Sequence, residues 1–414
     1  MIIIDEILIY INKVFFQIFH IFLNIRTKKI EKSLYKKFFL LYNVKKICVK
    51  GGKLMKLKNI LIGIEGLKAK GELDLEIKGI ESNSKNIKEG YMFVAIKGFD
   101  VDGHQFIPEA IKSGAKVIVI EEGFDLKSVK FPADITIILA KDTREFLAIA
   151  SSNFYGNPSS KFKLIGVTGT KGKTTTTFMI KEILEKAGKK VGLIGTIAVY
   201  INGEKKQDSD RTTPESIELQ RLFAEMVEKG TEYVVMEVSS QSLKLHRVDG
   251  CEFDMVLFTN FSEDHISPKE HPDIEDYFNS KLKLFNMCKT GFVNSDDLHA
   301  SKIPGIFPKS DIKKYGIDNP ADLLAKDITI TNSYVDFKVK LENKLMWGSD
   351  YYKMLIYQLL QQLEKISSSS YSSIDLGANI EKTKRRSPSD FKLIPFLLMC
   401  LAIIIICTII KNRG

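Results

Sequence analysis

The stretch Gly166-Val-Thr-Gly-Thr-Lys-Gly-Lys-Thr-Thr-Thr-Thr177 decides the fold, because it stands between two segments of different character. A strand-like apolar run, Lys163–Val167, leads into it, and a helix-like stretch, Thr174–Ala187, continues from it. Glycines at a strand-to-helix turn let backbone N–H groups face phosphate oxygens, and the helix start adds a positive dipole. Val167 occupies the place of the first glycine in the strict phosphate-loop pattern. The stretch therefore predicts a nucleotide-binding loop of variant sequence.

Strand-like and helix-like segments alternate on both sides of this loop. The strand-like runs are Met92–Ile96, Val117–Ile120, Ile135–Leu139, Lys163–Val167, Tyr233–Val238 and Met255–Thr259. The helix-like stretches are Pro108–Ser113, Arg144–Phe154, Thr174–Ala187 and Ile217–Lys229. Such alternation is typical of parallel sheets covered by helices. We expect an α/β protein with a doubly wound nucleotide-binding domain that follows a smaller α/β domain.

Composition and charge narrow the possible functions. The 414 residues are 44% hydrophobic and 27% charged, which is ordinary for a globular protein. The net charge is +10, but residues 1–54 carry +8 of it and leave only +2 for the rest. A basic flank without a basic face argues against nucleic-acid binding. The five cysteines include no CxxC pair, which favours a reducing cytoplasm over a disulfide framework or a zinc site.

Four regions are predicted along the chain. They are a basic, apolar extension at 1–54, a first α/β domain at 55–160, a nucleotide-binding domain at 161–345 and an unrelated tail at 346–414. Val49–Leu54 matches what a purine-rich ribosome-binding sequence would encode, so we expect the natural start at Met55. In the tail, Leu393–Ile410 has 18 uncharged residues between basic clusters, which predicts a hydrophobic, membrane-spanning C-terminal helix.

The loop and several further motifs resemble those of the Mur ligases, the ATP-dependent amino-acid ligases of peptidoglycan precursor synthesis. The further motifs are Asn83-Ser84-Lys85, Gly90–Gly98, Asp102-Gly103-His104, Arg211–Glu215, Met236–Arg247, Thr259–His265 and Asp276–Lys281. Together they resemble the MurE-type branch, which adds the third residue to UDP-MurNAc-L-Ala-D-Glu. The resemblance extends from about Met55 to Leu345 and implies a cytoplasmic ligase that uses ATP and Mg²⁺.

The resemblance also implies which residues handle ATP and the metal. The nucleotide would contact the loop and the helix start through Gly169, Thr170, Lys171, Gly172, Lys173, Thr174 and Thr175. The catalytic set would be Lys173, Glu237, His265 and Lys281, and the magnesium ligands would be Thr174, Glu237, His265 and a carbamylated Lys281. Residue type alone leaves two alternatives open: a solvated strand-end acid for Glu237 and a surface lysine for Lys281. Lys283 is a neighbour that is easily confused with Lys281.

The implied substrates are UDP-MurNAc-dipeptide and an amino acid. The residues matched to the muramoyl-dipeptide are Thr212, Thr213, Ser239 and Arg247. Those matched to the uridine diphosphate are Ser84, Phe99, Asp100 and Val101. Hydroxyl groups and a guanidinium suit carboxylates and peptide groups. In the implied reaction, the substrate carboxylate takes the γ-phosphoryl group of ATP, and an amine then attacks the acyl phosphate.

The family pattern ends near Leu345, before the third domain that binds the incoming amino acid. We therefore expect impaired ligation, and the sequence leaves open whether the amino acid is meso-diaminopimelate or L-lysine. One alternative is a non-catalytic, membrane-tethered module that holds ATP and the UDP-precursor. Another is a folylpolyglutamate-type ligase, which shares the loop but fits Thr212-Thr213-Pro214 less well.

Overall fold

A computed structural model describes residues 54–264, 266–267, 270–330, 335–341 and 344–347. The predicted membrane-spanning segment 393–410 and almost all of the N-terminal extension lie outside these residues. His265, a predicted metal ligand, lies outside them as well. No helix in the described ranges has the length and apolar character needed to cross a bilayer.

The first part of the described chain forms a five-stranded sheet. Its strands and helices are β1 (Met55–Lys56), α1 (Leu57–Ile60), β2 (Lys68–Lys70), β3 (Glu76–Ile77), β4 (Gly79–Glu81), β5 (Tyr91–Val94), α2 (Ile107–Lys112), β6 (Ala115–Glu121), β7 (Thr136–Ala140) and α3 (Thr143–Phe154). The sheet order is β2-β7-β6-β5-β4, with β4 to β7 parallel to one another and β2 antiparallel at the edge. Strands β1 and β3 pair separately.

This sheet is buried on both faces, which explains its unbroken apolar strands. On one face, Val117 and Val119 of β6 join a core that includes Phe146 of α3. On the other face, Ile118 of β6 joins a core that includes Ala110 of α2. The alternate residues of one strand therefore hold a helix layer on each side.

The second part forms an eleven-stranded sheet with its own helices. Its elements are β8 (Lys163–Thr168), α4 (Lys173–Lys186), β9 (Val191–Ile194), β10 (Ala198–Ile201), β11 (Glu204–Asp208), α5 (Ser216–Glu228), β12 (Tyr233–Glu237), α6 (Ser240–Lys244), β13 (Phe253–Phe258), α7 (Ile274–Leu282), β14 (Cys288–Asn294), α8 (Ile303–Ile306), β15 (Asp311–Gly316), β16 (Leu323–Ile330), β17 (Val335–Leu341) and β18 (Lys344–Trp347). The order is β11-β10-β9-β12-β8-β13-β14-β15-β16-β17-β18.

The centre of this sheet is parallel and its two edges are antiparallel. Seven strands at the centre run parallel to one another, in the order β9-β12-β8-β13-β14-β15-β16. A hairpin of β10 and β11 closes one edge, and β17 and β18 close the other. The predicted α/β class with large parallel sheets is confirmed, whereas the sequence did not predict these antiparallel edges.

The order of the central strands positions the site. Strand β8 lies between β12 and β13, so that Val167 is paired with Glu237 and Thr168 with Phe258. Parallel neighbours end at the same edge of a sheet, and ligands of open α/β sheets bind at this edge where the strand order reverses. The loops after β8, β12 and β13 therefore meet at one place.

Candidate functional site

The phosphate loop, residues 169–172, has a backbone that requires glycine at both ends. Gly169 has φ +139° and Gly172 has φ +83°, both in the region that favours glycine. A Cβ atom on Gly169 would also collide with the hydroxyl of Thr259. The loop is tied to the segment after β13, because the amide of Thr170 donates to the carbonyl of Asn260 at 2.9 Å. The glycines of this loop are thus required by its backbone conformation and, at Gly169, by the close approach of Thr259.

Lys173 opens α4 and folds back over this loop. Its ammonium donates to the carbonyl oxygens of Gly169 at 2.9 Å and Thr170 at 3.1 Å. Burial lowers the pKa of Lys173, and the nearby carboxylate of Glu237 opposes that shift. Lys171 points elsewhere, since its ammonium pairs with Asp264 at 2.5 Å.

Glu237, the last residue of β12, is completely buried beside the loop. One carboxylate oxygen accepts from the amide of Thr196 at 2.9 Å, and the other accepts from the hydroxyls of Thr174 at 2.9 Å and Thr196 at 3.1 Å. Burial raises the pKa of Glu237, and these hydrogen bonds oppose the shift. The alternative of a solvated strand-end acid is therefore wrong.

Lys281, on α7, is also buried, with 1% of its surface exposed. Its ammonium donates to the carbonyl of Gly169 at 3.0 Å and lies 4.3 Å from the ring centroid of Tyr277. Burial, and then the positive charge of Lys173, lower the pKa of Lys281 to about 6. The alternative of a surface lysine is wrong, whereas the neighbouring Lys283 is partly exposed.

The residues matched to the dipeptide lie together beside Glu237. The hydroxyl of Thr213 donates to the carbonyl of Glu237 at 3.0 Å and accepts from the amide of Ser239 at 3.1 Å. Arg247 pairs with Glu215 at 2.9 Å and donates to the carbonyl of Thr213 at 3.4 Å. The Nε atom of this buried guanidinium has no hydrogen-bond partner among the described residues. A buried donor without a partner is the kind of group that a bound anion satisfies.

Most of these side chains line one cavity of about 380 Å³. Its lining residues are Lys173, Arg211, Thr212, Thr213, Ser239, Ser240, Gln241, Arg247, Glu270, His271 and Lys281. Three side chains that carry positive charge face it, Lys173, Arg211 and Arg247, together with the amino group of Lys281 and the single carboxylate of Glu270. We infer that the cavity suits an anionic ligand.

The predicted uridine-diphosphate residues lie in the first α/β part and do not line that cavity. Ser84 is buried after β4 and donates to the carboxylate of Glu109 at 2.7 Å. Phe99 and Val101 are 58% and 50% exposed in the loop after β5. Because β4 and β5 are parallel neighbours, both loops lie at the same edge of the five-stranded sheet.

Sequence reasoning missed several cavity residues. Arg211 and Gln241 belong to the motifs Arg211–Glu215 and Met236–Arg247, and membership in these motifs was the signal that could have identified them. His271 had no such signal, and it is completely buried between α6 and α7. In the described part of the chain, no three His, Cys, Asp or Glu side chains form a group suited to a metal ion. A metal ion at this site would therefore also need oxygen atoms from hydroxyl side chains or from a bound substrate.

Comparisons with known families agree with this architecture. Residues 76–155 match the family model described as Mur ligase family, catalytic domain, and residues 167–348 match the Mur ligase middle domain. The chain belongs to the Mur ligase family.

Its relatives include two enzymes named UDP-N-acetylmuramoyl-L-alanyl-D-glutamate–2,6-diaminopimelate ligase. The one from Clostridium botulinum is 49% identical over 269 residues, which are 65% of this chain and 54% of the relative. The one from Clostridium tetani is 47% identical over 285 residues, which are 69% of this chain and 58% of the relative. The chain thus spans a little over half the length of these two relatives. A solved structure of a ligase with the same name shares the fold, with a TM-score of 0.60, 20% identity and coverage of 77% of this chain and 64% of that one.

Proposed function

We propose that the chain derives from an ATP-dependent ligase that joins an amino acid to UDP-MurNAc-L-Ala-D-Glu through an acyl phosphate. One observation carries the proposal: Lys173, Lys281 and Arg247 line a single cavity at the end of a phosphate loop, with buried Glu237 beside them. A triphosphate and a multiply charged precursor are both anions, and the positive charges of Lys173 and Arg247 on this wall suit them.

We assign residues 55–160 to the uridine diphosphate end of the precursor and residues 161–345 to ATP and the dipeptide. The loops at Ser84 and at Phe99–Val101 support the first assignment, because they lie at one edge of the sheet. The loop from Gly169 to Thr175 supports the second. Glycine amides and the start of the 14-residue helix α4 suit phosphate oxygens.

The residues at the loop fit magnesium. Thr174 offers a hydroxyl and Glu237 a carboxylate, and both are the hard oxygen ligands that this cation prefers. Their oxygens are 2.9 Å apart, so one ion can reach both. Magnesium would offset the negative charge on the ATP phosphates. Lys281 would join the site as a carbamate, which forms from a neutral amine, and its low pKa supplies that neutral amine at neutral pH.

The chemistry then follows from the residues that face the cavity. The D-glutamate carboxylate attacks the γ-phosphorus of ATP, ADP leaves, and an acyl phosphate forms. The ammonium of Lys173 stabilises charge on the transferring phosphoryl group. The amine of the second substrate attacks the acyl carbon, loses a proton and expels phosphate. The first step is needed because a carboxylate oxygen is a poor leaving group until it carries a phosphoryl group.

We propose diaminopimelate as the second substrate, with lysine as the alternative. The printed names of the two relatives support diaminopimelate. We place the reaction in the cytoplasm, where ATP and UDP-linked precursors are available.

Turnover of the full chain tests this function. ADP release should require UDP-MurNAc-L-Ala-D-Glu, and amide formation should require diaminopimelate or lysine. Lys173→Ala should abolish ADP release without unfolding the chain, which circular dichroism checks. Binding of ATP and precursor without turnover would favour the non-catalytic binding module. The absence of binding to either would contradict the proposal.

A further inference from the structure

A chain of hydrogen bonds lies behind the cavity wall and has no part in the mechanism above. His271 Nδ1 lies 2.6 Å from a carboxylate oxygen of Asp276, and its Nε2 lies 2.9 Å from the hydroxyl oxygen of Ser240. Lys244 donates to the same carboxylate oxygen of Asp276 at 2.7 Å. His271 is completely buried and Ser240 is 5% exposed, yet both line the cavity.

The chemistry of the three groups sets the direction of these bonds. Partial burial opposes the shift, but Lys244 and His271 hold the pKa of Asp276 low, so this carboxylate can only accept. His271 Nδ1 must then carry the proton. Burial lowers the pKa of His271, although Asp276 opposes the shift, so the ring is neutral and its Nε2 accepts. The hydroxyl of Ser240 therefore donates to His271, and its oxygen is left with lone pairs alone.

This orientation distinguishes Ser240 from the basic side chains of the wall. Lys173, Arg211, Arg247 and Lys281 are donors, and among the lining side chains only Glu270 is a carboxylate. A peptide-bearing ligand has both kinds of group in close succession. The carbon that carries its α-carboxylate also carries an amide N–H, which needs an acceptor.

We propose that Ser240 is a specificity-determining residue that accepts a hydrogen bond from the N–H between the alanine and glutamate of the precursor, with His271 and Asp276 as positioning residues. This inference rests on the proposed function. It predicts that the site distinguishes a peptide from an ester of the same shape and charge. An ester oxygen facing the Ser240 oxygen leaves two acceptors opposed and no donor between them.

The test is the affinity of the full chain for two ligands, measured by calorimetry. One is UDP-MurNAc-L-Ala-D-Glu, and the other is its depsipeptide analogue, in which an ester oxygen replaces that N–H. The wild type should bind the amide about tenfold more tightly. Ser240→Ala should bind both equally. Ser239→Ala, the matched control on the adjacent serine, should weaken both and keep the ratio.

Two further readouts separate positioning from folding. Nitrogen NMR of the unliganded chain should show His271 protonated at Nδ1, and Asp276→Ala should lose that tautomer and most of the tenfold preference while remaining folded. Equal binding of both ligands by the wild type, or a proton on Nε2, would overturn the inference and leave the proposed function standing. Binding of neither ligand would overturn both.

Discussion

Lys281 donates a hydrogen bond of 3.0 Å to the carbonyl oxygen of Gly169, which lies 112 positions earlier in the chain. Lys173 donates to the same oxygen at 2.9 Å. Two amino groups thus share one acceptor in a buried place, and burial together with the positive charge of Lys173 lowers the pKa of Lys281. An anionic ligand at this loop would relieve that repulsion.

The pH dependence of stability should report this buried lysine. The pKa of Lys281 is about 6 in the folded chain, against about 10.4 in an unfolded one. Between these values the unfolded chain binds a proton that the folded chain does not, so the free energy of unfolding rises with pH. The slope from one such group is up to about 1.4 kcal/mol per pH unit. Lys281→Met should remove that slope in urea titrations from pH 6.5 to 8.5 in carbonate-free buffer. Lys283→Met should retain it, and equal slopes in all three proteins would contradict the burial of Lys281.

The phosphate loop should not tolerate a side chain at Gly169. Gly169→Ala places a Cβ against the hydroxyl of Thr259 and 3.0 Å from the carbonyl oxygen of Asn260, in addition to an unfavourable φ. Gly188→Ala is the control, because its φ is +79° but its Cβ would meet nothing within 4 Å. We expect Gly188→Ala to cost about 1 kcal/mol and Gly169→Ala at least about 2 kcal/mol more. Urea unfolding gives both values. ATP binding should be lost in Gly169→Ala and kept in Gly188→Ala. Similar losses of stability in the two variants would refute the steric argument.

The carboxylate of Glu237 should be irreplaceable by an amide. Three donors converge on its two oxygens, from Thr174 and twice from Thr196. Glu237→Gln puts an NH2 group in the place of one oxygen, which either faces the N–H of Thr196 or forces the hydroxyls of Thr174 and Thr196 to accept instead of donate. We expect a loss of about 1–3 kcal/mol in unfolding free energy. Magnesium-dependent ATP binding should fall much further than magnesium-free binding. Unchanged magnesium dependence in calorimetry would remove Glu237 from the metal site.

Arg247 and Arg211 offer a matched pair at the precursor cavity. Both pair with the same oxygen of Glu215, but the side chain of Arg247 is 5% exposed and that of Arg211 is 55% exposed. A lysine cannot reproduce a guanidinium that holds several partners at once. Arg247→Lys should weaken precursor binding about tenfold to a hundredfold, whereas Arg211→Lys should change it about twofold. Equal effects of the two substitutions in a binding titration would show that burial of Arg247 has no role.

Much of the fold could be predicted from the sequence, because the deciding signals are local. The ten strands and helices predicted between residues 92 and 259 are all present, and none of their ends moves by more than two residues, whereas the helix predicted at 393–410 lies outside the described residues. The hairpin of β10 and β11 was not predicted. Its outer strand, Glu204–Asp208, is polar and mostly exposed, so it lacks the apolar run that marks a buried strand.

Some features of the site likewise depend on neighbouring residues, and others depend on residues that are far apart in the chain. The sequence by itself determined the phosphate loop, since glycine conformation and the strand-to-helix change depend on neighbours within a few residues. The tertiary structure alone decided that Glu237 and Lys281 are buried, that Lys281 reaches Gly169, and that His271 links Ser240 to Asp276. Those relationships join residues far apart in the chain, and they arise because parallel strands and the helices between them end at one edge of the sheet. Residue type tells which groups can carry charge or a proton, but only packing decides how much water remains around them.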